Sequence, residues 1–301
     1  MATRGILYVM IGAVLWSTGG VGIKLLDGYS PLTINTGRAA VCVLFFAFVL
    51  RGRLIPPPHA RKSTVIGAVA YAVVIFSFVA ATKWTTAANA VILQNTSILW
   101  IALVGWAVLH ERPSRVDYAV LCVGFMGIVL CMGEGISWFS QNQEVSRGLM
   151  GDGVAIISGA SFAVLIVTLR AVNRRKDVDG RPGSSDALWC LFWGSVLASL
   201  VGLPSFVREL PTPGMTGHAR VTGWLVLGWL GLFQLALGYW FYQRGLRTTK
   251  ALTASLVALC EPVLNALIVA LAIGEVPSGY TIVGGMIVLG AITVKILKSE
   301  E

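Results

Sequence analysis

Apolar residues along this chain come in ten runs of about twenty, separated by polar connections. The runs can be drawn at roughly 4–25, 32–50, 63–82, 85–109, 115–133, 151–171, 184–203, 222–243, 249–272 and 277–297. A helix rises 1.5 Å per residue, so about 20 residues cross a hydrocarbon core about 30 Å thick. Each run therefore predicts one membrane-spanning helix, and the chain as a whole an all-α integral membrane fold. The first run follows Arg4, as the apolar part of a signal peptide would. It has no clear small-x-small cleavage site and leads directly into further spans, so it is expected to stay in the mature protein.

Composition agrees with the pattern. The 301 residues are 56% hydrophobic and only 12% charged, against about 25% charged in soluble domains. The net charge of +9 could point to nucleic acid, but its placement points to topology. Lys24, Lys83, Arg147, Arg208 and Arg220 fall on one set of connections and Arg38 falls inside a span; the other 17 of the 23 basic residues fall on the opposite set. By the positive-inside rule this bias puts both termini in the cytoplasm. No nucleic-acid partner is expected. The five cysteines, Cys42, Cys122, Cys131, Cys190 and Cys260, all lie within apolar runs and none has CxxC spacing. They read as small core residues, and neither metal nor cofactor is expected.

The ninth run is interrupted. Residues 251–278 carry Glu261-Pro262 in the middle and Gly274-Glu275-x-Pro277-Ser278 at the end. Residues 87–114 echo this stretch with a shift of 164, sharing Ala87/Ala251, Ala90/Ala254, Ala102/Ala266, Leu103/Leu267, Glu111/Glu275, Pro113/Pro277 and Ser114/Ser278. Gly12-Ala13 and Gly159-Ala160, each followed by an aromatic (Trp16, Phe162), form another echo. The reading is two halves, residues 1–133 and 151–301, joined by an extracytoplasmic connection at 134–150. Five spans per half is an odd number, so the second half inserts upside down relative to the first. Inverted halves are a signature of secondary transporters, with the binding site near the midplane between them.

With its two E-x-P-S endings, the Glu261-Pro262 pair and the first span GAVLWSTGGVGIKLL, the chain resembles an EamA-type member of the drug/metabolite transporter superfamily. The resemblance covers nearly the whole chain and is strongest over 228–290. It implies ten transmembrane helices as two five-helix inverted repeats around a central cavity, often serving export of amino acids or other small metabolites. Trp16-Ser17-Thr18 is similar to the amino-acid exporter branch. The first repeat departs from the pattern, with Ile98 standing opposite Pro262, so any kink-based gating is expected to be asymmetric.

A carboxylate at mid-membrane depth is expensive, and its default reading is a functional site. Glu261 and Asn265 are one helical turn apart and share a face, while Pro262 removes a backbone donor and frees a carbonyl one turn back. Two roles are open for Glu261: a cavity acid that binds a substrate ammonium or titrates, and a structural carboxylate bonded across helices. In the fourth span Gln94, Asn95, Thr96 and Ser97 make a polar cluster, from which Gln94 and Asn95 are the candidate cavity residues. Trp16, Ser17, Tyr71, Phe78, Trp100, Phe162 and Tyr239 complete the candidate substrate-binding set, and Ser161 and Gln234 sit at similar depth. Glu111 and Glu275 end helices and read as hydrogen-bonding groups at those ends. Arg38 either snorkels to the outer surface or pairs with an acid.

These residues point to a secondary transporter or exporter of small polar metabolites, amino acids or related amines, working by alternating access across the cytoplasmic membrane. The alternative is a membrane-embedded enzyme or a channel-like facilitator on the same fold. An enzyme would need paired acids, a histidine cluster or a nucleophile–base pair at depth, whereas His59, His110 and His218 all lie at loops or span ends. The expected partners are a small-molecule substrate and the lipid bilayer, with a monomer plausible. No Walker A sequence is present to drive transport with ATP.

Overall fold

The computed structural model describes residues 2–26, 28–84, 90, 93–131, 145–174, 186–209, 217–273 and 279–298. The connection at 132–144 and Glu275, Pro277 and Ser278 of the second E-x-P-S motif lie outside the described residues. Each of the ten apolar runs contains helix, and there is no strand among the described residues. The helices are α1 Ala2–Trp16, α2 Gly19–Leu25, α3 Pro31–Val49, α4 Pro58–Trp84, α5 Ser97–Leu109, α6 Arg115–Cys131 and α7 Val145–Arg174. There follow α8 Asp186–Glu209, α9 Gly217–Trp229, a π-helical segment Leu230–Leu237, α10 Gly238–Gly245, α11 Ala251–Val257, α12 Cys260–Ile273 and α13 Gly279–Leu297. Among the described residues, six stretches are long and apolar enough to cross a membrane: Arg4–Ile23, Pro31–Val49, Pro58–Trp84, Leu149–Arg174, Asp186–Glu209 and Thr222–Gly245. Shorter apolar helices occupy the fourth, ninth and tenth runs.

Local chemistry sets several helix ends. Pro31 opens α3 behind Ser30, whose hydroxyl accepts from the Thr33 N–H, the usual division of labour at a helix start. Pro58 likewise begins α4, earlier than the apolar run itself starts. At α6, Ser114 and Asp117 bond reciprocally: the Ser114 N–H donates to the Asp117 carboxylate and the Asp117 N–H to the Ser114 hydroxyl. That is a capping box with Asp in place of Glu. The helix α7 begins at Val145, inside the stretch expected as the connection.

The outward surface is apolar. Leu44, Phe48 and Leu271 are 72%, 82% and 79% exposed, which suits hydrocarbon in place of water. Inside, α4 packs on α7 and α8, α3 on α8 and the π segment, α6 on α13, α5 on α7, and α1 on α10. The last crossing is made close by glycines spaced seven apart on both helices. A Cβ added at Gly12 would sit 2.9 Å from the Gly238 carbonyl oxygen, and one at Gly245 would sit 2.7 Å from that of Gly5. Small residues are what let helix backbones approach in a membrane. Gly12→Val is therefore expected to destabilise by about 1–3 kcal/mol through overpacking, seen as a lower melting temperature in detergent. Gly290→Ala, where nothing lies within 4 Å of the added carbon, is the control and should not lower it.

Candidate functional site

The helices are interrupted at one level of the bundle, and the main pocket lies there. The α1–α2 break falls at Ser17-Thr18, α5 starts after a turn at Thr96, and α11 and α12 are separated at Ala258-Leu259. Each break has a residue that causes it. The Ser17 hydroxyl donates to the Val14 carbonyl, that of Thr18 to the Leu15 carbonyl and that of Thr96 to the Leu93 carbonyl, at 2.6, 2.8 and 2.6 Å. Such back-bonding competes with the helical ladder and bends it. Pro262 cannot donate to the Ala258 carbonyl one turn back. The Glu261 N–H takes that carbonyl instead, at 2.9 Å, and α12 starts afresh with Glu261 in its first turn. Both runs are interrupted, but by different means: Thr96 back-bonding in the fourth and Pro262 in the ninth.

The pocket holds about 770 Å³ of empty space, its open mouth included. Of the eleven residues expected to bind substrate, Trp16, Phe78, Gln94, Asn95, Phe162, Tyr239, Glu261 and Asn265 line it. Three do not. Ser17 is buried in the α1–α2 turn that its own hydroxyl helps to make. Tyr71 is fully buried and meets Tyr239 edge-on at 4.9 Å, so it supports a wall residue from outside the lining. Trp100 is 40% exposed on the outer surface of α5, on the lipid side.

One end of the pocket is closed by rings. Trp16 lies 4.8 Å from both Tyr239 and Tyr242 and 6.0 Å from Phe162, and the Tyr242 hydroxyl shares a 3.1 Å hydrogen bond with Ser255. The lining is rich in polar groups, with Arg38, Gln94, Asn95, Ser97, Gln234, Glu261 and Asn265 among it, more than the few that orient a ligand in most small-molecule sites. Gln94 donates to Ser158 at 3.3 Å. The Gln234 and Asn265 carbonyl oxygens have no hydrogen-bond partner among the described residues. Gln234 stands on the π segment, a helix distortion frequent at functional sites. The Glu261 carboxylate has no hydrogen-bond or ion-pair partner among the described residues either.

Arg38 also lines the pocket, which the sequence left between two other placements. It is 1% exposed, so it does not snorkel, and no acid pairs with it among the described residues. Its Nη2 donates to Asn35 Oδ1 at 3.2 Å and to the Ile75 carbonyl at 2.7 Å, while Nε and Nη1 have no partner among the described residues. A cation mid-span with Asn35 three residues earlier was the available signal.

Beyond the rings, at the end of the bundle that carries Gly5 and the α10–α11 connection, lies a second polar cluster. Arg170 Nε meets Glu111 Oε1 at 2.9 Å, and its Nη1 donates to the carbonyls of Leu246 and Arg247 at 2.6 and 3.0 Å. The other Glu111 oxygen accepts from the Ala251 N–H at 3.0 Å, capping α11. Arg174 donates to the Leu109 carbonyl at 3.1 Å, and Asn173 to that of Gln243 at 2.9 Å. Glu111 is thus a hydrogen-bonding group at a helix end, but the end it caps is that of α11, 140 residues further along the chain.

The model of the EamA-like transporter family matches residues 3–133 and again 149–297. The chain belongs to that family. This EamA-like transporter is 23% identical over 283 residues to an uncharacterized transporter of Archaeoglobus fulgidus, covering 93% of the chain and 92% of the relative. It is 24% identical over 310 residues to one of Clostridium kluyveri (96% and 92%) and 23% over 298 residues to the uncharacterized transporter YdfC of Bacillus subtilis (97% and 90%). A crystal structure of a protein at 18% identity superposes with a TM-score of 0.78 over 99% of this chain and 98% of that one, a likeness of fold. The chain is therefore a multi-pass membrane transporter, with a small-molecule substrate and a bilayer as its partners.

Proposed function

We propose that this transporter exports small polar metabolites, amino acids or related amines, across the cytoplasmic membrane by alternating access between two inverted five-helix halves. The observation that carries the reading is Glu261, an acid without a partner among the described residues, in a pocket where broken helices meet. An ammonium group from the substrate would supply what the protein does not.

The packing supports the two-half reading. With α1 and α2 paired to α7, α3 to α8, α4 to α9–α10, the 93–109 stretch to α11–α12, and α6 to α13, helix contacts exchange under a two-fold operation. The α1 contact with α10 mirrors the α7 contact with α4, while α3 with α8 and α6 with α13 join counterparts directly. The double match of one family model to 3–133 and 149–297 points the same way. The basic residues favour a ten-span topology with cytoplasmic termini. In that orientation the rings and the Glu111–Arg170 cluster close the cytoplasmic side.

Counterflow in proteoliposomes tests the proposal. With unlabelled amino acids or amines preloaded, the matching radiolabelled compound should overshoot its equilibrium level before decaying. Saturable exchange of this kind requires a carrier. Flux without any overshoot would favour a channel-like facilitator, and no flux for any panel member would remove the substrate class.

A further inference from the structure

We infer that Arg38 is the carboxylate-binding group of the pocket, so that the substrates are amino acids and not amines lacking a carboxylate. This rests on the reading of the pocket as a transport site. Arg38 follows Pro31, the first residue of α3, by seven positions, which puts it about 10 Å along the helix. The side chain is 1% exposed. A guanidinium has five N–H donors; the protein engages only those on Nη2, and with two neutral oxygens, Asn35 Oδ1 and the Ile75 carbonyl. The three N–H groups on Nε and Nη1 are unmet among the described residues, and no carboxylate pairs with the charge there.

A buried charge is normally paired, and buried donors are normally satisfied. Both rules are broken at Arg38, and it lines the pocket. A role confined to tying α3 to α4 through Ile75 would use Nη2 and leave the rest of the group as pure cost. Nε and Nη1 are closed from solvent in this conformation, so an anion that reaches the group as the pocket opens would meet the remaining donors and the charge together. Arginine suits a carboxylate because its planar fork matches the two oxygens. Across the same lining stands Glu261, an acid lacking its cation, with the Gln234 and Asn265 oxygens unmet beside it. A pocket holding one unpaired cation and one unpaired anion is complementary to a zwitterion. A bare amine would leave Arg38 unsatisfied.

The test compares matched pairs on the full-length protein in proteoliposomes: leucine against isopentylamine, lysine against cadaverine, and alanine against ethylamine. Wild-type protein is expected to exchange at least one amino acid and to prefer it strongly over its decarboxylated partner. Arg38→Gln and Arg38→Lys should each raise the half-saturating concentration of that amino acid, about 10- to 100-fold for glutamine, with a smaller rise for lysine. The amine should be unaffected. Size-exclusion profiles and melting temperatures certify that each variant folds. Should Arg38→Gln fail to fold, the lysine variant and the wild-type preference still decide. Amines exchanged as well as their amino acids would overturn the Arg38 assignment while leaving the transporter reading intact. So would unchanged affinity in a folded Arg38 variant. Absence of exchange for every pair would overturn both.

Discussion

Glu261→Gln protein should fold and insert normally yet lose most of its transport, through weaker substrate binding. Glutamine keeps the shape and hydrogen-bonding capacity of the side chain and removes only the charge. If the charge holds a substrate ammonium, the half-saturating concentration should rise about 10- to 100-fold, the worth of a charge-assisted hydrogen bond. Two rival roles predict different outcomes on the same preparation. A proton-coupling acid would leave downhill counterflow intact and abolish accumulation driven by a pH gradient. A structural carboxylate would lower the melting temperature with near-normal exchange per folded molecule. The structure bears on the last of these, because no protein group bonds the carboxylate among the described residues. Little stability is therefore expected to depend on it. Wild-type binding, counterflow and pH-driven accumulation together with a depressed melting temperature would sink the substrate-binding role. Replacing Pro262 instead tests the break: with alanine there, the 258–262 backbone bond can form, and the acid should shift within the pocket.

The contrast between Glu261 and Trp100 explains what a sequence of this kind discloses. Glu261 was legible because an acid in an apolar run has so few tolerable destinations, and the proline beside it names the break mechanism. Trp100 was not. Helix α5 reads SILWIALVGWAVL, apolar on every face, and lipid tails are as apolar as a protein core. Without amphipathicity nothing in the run says which side faces outward, and Trp100 turns out to face lipid. Tyr71 fails for a related reason, since its depth was readable but not its place behind Tyr239. The breaks at Ser17-Thr18 and Thr96 were missed because back-bonding by Ser and Thr is conditional on side-chain rotamer, whereas proline removes a donor unconditionally. Arg38 shows the limit most sharply. Sequence could tell that a mid-span guanidinium needs a partner, but the choice among surface, acid and cavity is a matter of how α3 sits against α4. The same holds for Glu111: its echo in Glu275 was visible, while its contacts with Arg170 and Ala251 span 59 and 140 residues, separations no local pattern encodes.

Arg170→Gln is expected to release the termini end of the bundle and shift the resting conformation toward one open on that side. Arg170 holds together three elements, reaching Glu111 after α5 and the Leu246 and Arg247 carbonyls after α10, from its place near the end of α7. Both side chains of the ion pair are nearly buried, at 11% and 12% exposed. Removing Arg170 leaves Glu111 only the Ala251 N–H and a looser contact with Arg174 at 3.7 Å; losing one partner of a fully buried pair costs several kcal/mol, and with this exposure and residual compensation the cost is about 2 kcal/mol. A conformer that lacks these contacts loses nothing, so the population ratio should move about 30-fold in its favour. The readout is a cysteine at Ser255, 3% exposed beneath the Tyr242 hydroxyl, in a protein whose native cysteines are replaced by alanine. Its alkylation from the cytoplasmic face should accelerate by a similar factor in Arg170→Gln. Glu111→Gln should give much of the same effect, and the double variant little more, because one cluster cannot be broken twice. If the cluster were only cement, both variants would lower the melting temperature and leave the alkylation rate alone. That result would remove the gate and leave the pocket, because the lining residues do not depend on Arg170. Transport itself should respond asymmetrically: an equilibrium pushed too far toward one side slows the return step, so net flux falls even as access to the cytoplasmic side improves.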